Sequence, residues 1–192
     1  MPVDAGATVG AGSDEVDRIV AAWQRERPDL DVEPMRVLSR VTRLARHLDR
    51  ERSRAFAEHH LESWEFDVLA ALRRAGAPYR LTPGQLVRQT MVTSGTMTNR
   101  VDRLAARGMV LREVHPDDRR GVLVTLTRLG LEQVDAALAD LLEAERALMA
   151  DLSADQQDAL AGSLRQLLLR YTDTDPDPRV VRSSAGSGPP TT

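Results

Sequence analysis

The chain has 192 residues, 42% of them hydrophobic but only 3% aromatic, so its core must be built by aliphatic helix packing. It has no cysteine, which excludes disulfides, thiolate metal ligands and thiol redox chemistry. The net charge of −3 is unevenly spread. Residues 80–128 carry nine arginines against four acids, while the rest carries seventeen basic residues against twenty-five acids. A basic centre in an acidic chain is the electrostatic footprint of a localised nucleic-acid contact. No apolar run reaches membrane-spanning length and no leader pattern opens the chain, so a cytoplasmic location without membrane association is expected.

Residues 1–12 are Gly/Ala-rich and read as disordered. Ser13 is the expected cap of an appended helix over 13–28, in which Val16, Ile19, Val20 and Trp23 form one apolar stripe. Pro34 opens a long helix, with Leu38, Val41, Leu44 and Leu48 on one face. The segment 34–62 suits an intersubunit element. Ser63 is the expected cap of a helix over 64–75, ended by Gly76.

The stretch 81–130 organises the rest, within a DNA-binding domain over 63–130. Thr82-Pro83-Gly84-Gln85 is a capping box for a short helix over 83–90. Thr93 caps a second helix over 94–107, stopped by Gly108. Two apolar-rich runs, 109–115 and 121–127, are joined by a polar turn holding Arg119 and Arg120. Short helix, turn, longer helix and a hairpin with a basic tip make a winged helix-turn-helix. The fold class is therefore mainly α with a small β-hairpin wing. After it, Leu131, Val134, Leu138, Leu141 and Leu148 keep near-heptad spacing, and Ser153 to Gln156 form another capping box. The helices of 131–171, with 34–62, are expected to dimerise the chain. Residues 172–192, rich in Asp, Pro, Ser and Gly, read as a disordered tail.

With Met97 at zero on a wheel of about 100° per residue, Val101 and Leu104 share its buried face. Ser94, Gly95, Thr98, Asn99 and Arg103 lie towards the other side, a set of small, hydrogen-bonding and basic residues suited to a major groove. Thr93 and the wing's Arg119 and Arg120 complete the candidate DNA contacts. Asp102 suits an orienting partner for an arginine. Arg100 points towards the core rather than the DNA, and a guanidinium there needs a partner. Arg112 shares a strand face with Val110 and Val114, and Asp67 sits among Phe66, Val68 and Leu69. Both are therefore expected to face inward, leaving a local positive excess fit to hold a small planar anion. The alternative is a structural ion pair between Asp67 and one of the two arginines.

The segment Thr93 to Gly108 and the wing pattern of Asp118, Arg120, Val122, Val124, Leu126, Thr127 and Gly130 resemble the MarR family of transcriptional regulators over about residues 34–171. The resemblance implies a homodimer on double-stranded, pseudo-palindromic DNA, usually a repressor relieved by a small ligand, with Arg120 entering the minor groove. Trp23, Asp67, Arg100 and Arg112 are further similar to the branch that responds to urate, which would make them the site of a small anionic or aromatic effector. A regulator answering phenolic compounds or antibiotics, and a winged-helix interaction module without DNA binding, remain as alternatives. No phosphate loop, activated nucleophile or metal spacing is found, and His47, His59, His60 and His115 do not form a ligand set, so neither an enzyme nor a cofactor is expected.

Overall fold

The computed structural model describes residues 12–115 and 118–172, the side chains of 115, 118–120 and 172 excepted. In chain order it contains α1 (Glu15–Glu26), α2 (Pro34–Glu58), α3 (Ser63–Arg74), β1 (Arg80–Leu81), α4 (Pro83–Thr90), α5 (Ser94–Ala106), β2 (Val110–His115), β3 (Asp118–Leu126), α6 (Arg128–Met149) and α7 (Ala154–Thr172). The described residues form two compact units, divided between Ala144 and Glu145.

In the first unit, α1 is capped by Asp14, not by the neighbouring Ser13. The Asp14 carboxylate accepts from the backbone N–H groups of Val16 and Asp17 at 2.7 and 3.1 Å, and Asp17 returns a bond to Asp14 N–H at 2.9 Å. This registers Val16 and Val20 onto Val32 in a small apolar patch. Arg40 of α2 then clasps Asp14 and Asp17 at 2.8 and 2.7 Å, and Arg43 reaches Glu15 at 3.2 Å. Trp23, the last residue of the stripe, stays 47% exposed.

The main core lies around α3. Phe56 at the end of α2 stacks on Phe66, with centroids 4.0 Å apart. Val68, Leu69 and Leu72 of α3, Leu86 of α4, Met97, Val101 and Leu104 of α5, and Val134 and Leu141 of α6 belong to it, with Leu81, Val110, Val124 and Leu126 of the sheet. Burial on this scale is the main stabilising term for a fold so poor in aromatics. In α2, by contrast, Ala55 and Phe56 are the buried residues. Val37, Leu38, Val41 and Leu44 remain uncovered.

The helix-turn-helix follows from its caps. Thr82 and Gln85 form the reciprocal box that starts α4. Met91 turns the chain in a left-handed conformation, and Thr93 accepts from Thr96 N–H to start α5. The sheet has the antiparallel order β1-β3-β2, with Arg80 opposite Thr125 and Arg112 opposite Val124. The β1 strand was not expected: two residues are too few for alternation to register.

The Leu-Thr-x-x-Gly run closes the wing on α6. The Thr127 hydroxyl donates towards the carbonyls of Gly108 and Met109 at 2.8 and 3.0 Å, and accepts from Gly130 N–H at 3.0 Å. A Cβ on Gly130 would stand 2.2 Å from the Met109 carbonyl oxygen, so only glycine permits that approach. In the second unit, Ser153 and Gln156 form their expected box, and Leu160, Leu167, Leu168 and Tyr171 of α7 are exposed. No described helix is long and apolar enough to cross a membrane.

Candidate nucleic-acid interface

The α5 helix presents two different flanks. Met97, Val101 and Leu104 hold it to the core. Thr93, Ser94, Gly95, Thr98 and Asn99 are exposed. A Cβ on Gly95 would meet nothing within 4 Å, so the backbone is open to close approach. Thr98 returns its hydroxyl to the Ser94 carbonyl at 3.1 Å, leaving its methyl group and lone pairs outward. The amide of Asn99 is bonded to no described residue, and a free carboxamide can donate and accept together at a base edge.

The other flank is a ridge of arginines, Arg100, Arg103 and Arg107, one turn apart and facing the start of α3. Arg107 donates to Glu65 at 2.5 Å and to the His60 carbonyl at 2.7 Å. Glu65 is 1% exposed and also accepts from Glu62 N–H at 2.9 Å, so this buried carboxylate is well satisfied. Arg103 donates to Glu62 at 2.6 Å, and its guanidinium lies 4.7 Å from the centre of the Trp64 ring. Arg100 lies 5.5 Å from the same ring. The indole N–H holds the second oxygen of Glu62 at 2.7 Å. The indole bond, then Arg103, keep the Glu62 carboxyl below the ordinary carboxylate range, against an opposing effect of desolvation.

Two expectations about inward charges, those for Asp67 and Arg112, are corrected. Asp67 is exposed and pairs with Arg52 at 3.6 Å; the acid that α3 buries is Glu65. Arg112 is exposed and pairs with Asp102 of α5, because β2 leaves the core after Val110: Val114, on the same face, is 69% exposed. Arg100 is half-buried, but its described partner is the face of Trp64 rather than a carboxylate. The alternative ion pair of Asp67 with Arg100 or Arg112 is likewise not formed. Trp23 on α1 makes no hydrogen bond or ring contact with Asp67, Arg100 or Arg112 among the described residues. No described hydrogen bond, ion pair or ring contact joins any two of the four residues. The side chains of Arg119 and Arg120 lie outside the described residues.

Glu62, Trp64, Glu65 and Arg107 were not singled out from the sequence. The available signal was the spacing of Arg100, Arg103 and Arg107 on α5, an all-basic stripe that needs anions or rings opposite it.

A recognition helix with an open polar face, behind a short helix and beside an antiparallel wing, defines a winged helix-turn-helix protein of the DNA-binding class. A MarR-family profile matches residues 61–121. The chain is 39% identical over 150 residues to the HTH-type transcriptional regulator PecS of Dickeya dadantii, covering 78% of this chain and 90% of that one. It is 36% identical over 107 residues to the multiple antibiotic resistance protein MarR of Escherichia coli, covering 54% and 71%. The crystal structure of a mutant E. coli MarR complexed with operator DNA matches with a TM-score of 0.61 at 27% identity, covering 72% of this chain and 99% of that one. The chain belongs to the MarR family of transcriptional regulators. Its relatives are regulators of transcription, and it is not an enzyme.

Proposed function

We propose that this regulator acts as a homodimeric repressor, laying α5 of each protomer in the major groove of a pseudo-palindromic operator and releasing it when a small anion such as urate binds. The observation that carries the reading is the open face of α5. Gly95 and Ser94 admit the sugar-phosphate backbone, Thr93 and Thr98 offer hydroxyls, and Asn99 presents an uncommitted amide to a base edge. Arg103 lies at the margin of that face, and Arg119 and Arg120 at the wing would reach the flanking minor groove and phosphates. The uncovered apolar stripe of α2 supports dimerisation, since Val37, Leu38, Val41 and Leu44 have no cover from their own chain.

The effector would act at Arg100 and Arg112, with Asp67 and Trp23 as the further candidate contacts. Arg100 has a ring but no described carboxylate, so a planar anion would complete its environment. Arg112 is committed to Asp102, a residue of α5 itself. An anion that takes Arg112 leaves an unpaired carboxylate on the recognition helix, facing phosphates. Binding and DNA release are then linked through differential affinity for the two states.

An electrophoretic shift on DNA upstream of the chain's own gene, with and without urate, tests this reading. Release by urate, lost in Arg100→Ala and Arg112→Ala, is the expected result. A complex indifferent to urate overturns the effector, and binding that ignores DNA sequence overturns the operator reading.

A further inference from the structure

Arg103 and Glu62 form an ion pair unlike its neighbour one turn away. Both sides are open, at 54% and 57% exposure, whereas Glu65 beneath Arg107 is sealed at 1%. An exposed pair gives up little when exchanged, because neither charge has to be desolvated again. The Glu62 carboxylate is also fixed in place. One oxygen is bonded to the Trp64 indole, which leaves the other aimed at the Arg103 guanidinium, and that guanidinium lies over the same ring. A carboxylate held at 2.6 Å from a guanidinium N–H occupies the place a phosphate oxygen takes in a protein–DNA contact.

We propose that Glu62, held by Trp64, is an internal stand-in for a DNA backbone phosphate, from which Arg103 is released as DNA arrives. The inference rests on the reading of α5 as the DNA-contacting helix. Glu62 is a positioning residue in this account. It keeps the arginine extended over Trp64 at the margin of the groove-facing side, and it competes with the operator for it. The competition lowers affinity and flattens its salt dependence, because the released Glu62 takes up a cation where an unpaired Arg103 would only have shed an anion.

The test is a double-mutant cycle of Glu62→Gln and Arg103→Gln, read as affinity for the tightest duplex selected from fragments of the source genome, across a range of salt. Gln keeps an acceptor for the Trp64 N–H, and circular dichroism checks that the helices persist. Glu62→Gln is expected to tighten binding about two- to five-fold and to steepen the salt slope, because no freed carboxylate then takes up a cation. Arg103→Gln is expected to weaken binding, and in that background the gain from Glu62→Gln should largely vanish. An equal gain in both backgrounds would mean only that a negative charge near DNA had been removed, and overturns the proposal. So does weaker binding by Glu62→Gln. An Arg103→Gln variant that binds like the wild type also overturns it while leaving the DNA reading intact. If the unsubstituted chain selects no duplex, both fall.

Discussion

Two glutamates three residues apart at the start of α3 hold two arginines four residues apart, Arg103 on α5 and Arg107 at its C-cap, and the pairs have opposite characters. Glu65 is buried, accepts from Arg107 and from a backbone N–H, and ties the recognition helix to the core. Glu62 is open to water and shares its carboxylate between an indole and Arg103. The same chemical pair is structural where water is excluded and exchangeable where it is not, since desolvation decides how costly the partner's loss becomes.

The largest expected effect breaks the sealed pair. Arg107→Ala leaves the Glu65 carboxylate buried without its cation and should cost about 2–4 kcal/mol in urea unfolding, at the lower edge of buried pairs because Arg107 keeps some solvent contact. Glu62→Gln sharpens the contrast from the other side: its thermal midpoint should stay within about 2 °C of the wild type. A comparable loss from both would erase the distinction between the pairs.

The smallest effect is with pH. The Glu62 carboxyl is held below its ordinary value, so the contribution of its contacts is present above that ordinary value, about 4, and is lost as pH falls through the lower folded one. In a Trp23→Phe background, Trp64 fluorescence should therefore change only below about pH 4, before global unfolding. Glu62→Gln should remove that step.

Much of the winged unit was legible because its signals are local. Thr82, Thr93 and Ser153 each cap the helix that follows, and the proline, glutamine and glycine around them act within one turn. Where two capping residues adjoin, local rules do not choose. Asp14 wins over Ser13 because its register sets Val16 and Val20 on Val32, and α3 begins at Ser63 with Glu62 as its cap. The inward charges were misplaced for a related reason. Almost every residue of α3 from 65 to 72 is buried, so apolar neighbours around Asp67 carry no directional information. Alternation put Arg112 on the face of Val110 correctly, but whether that face is covered depends on where β2 leaves the core. The arginine ridge was visible as spacing, whereas its partners come from an element some forty residues earlier and belong to the tertiary fold.

The most direct test of the central claim concerns the open flank of α5. Wild type and Asn99→Ala would be compared for binding to the best selected duplex and to a scrambled duplex of the same composition, at fixed salt. A base-reading helix predicts that Asn99→Ala loses about tenfold or more of the preference, in line with one lost bidentate contact, while scrambled-duplex binding holds. An unchanged preference would contradict it and move the reading of sequence away from this face.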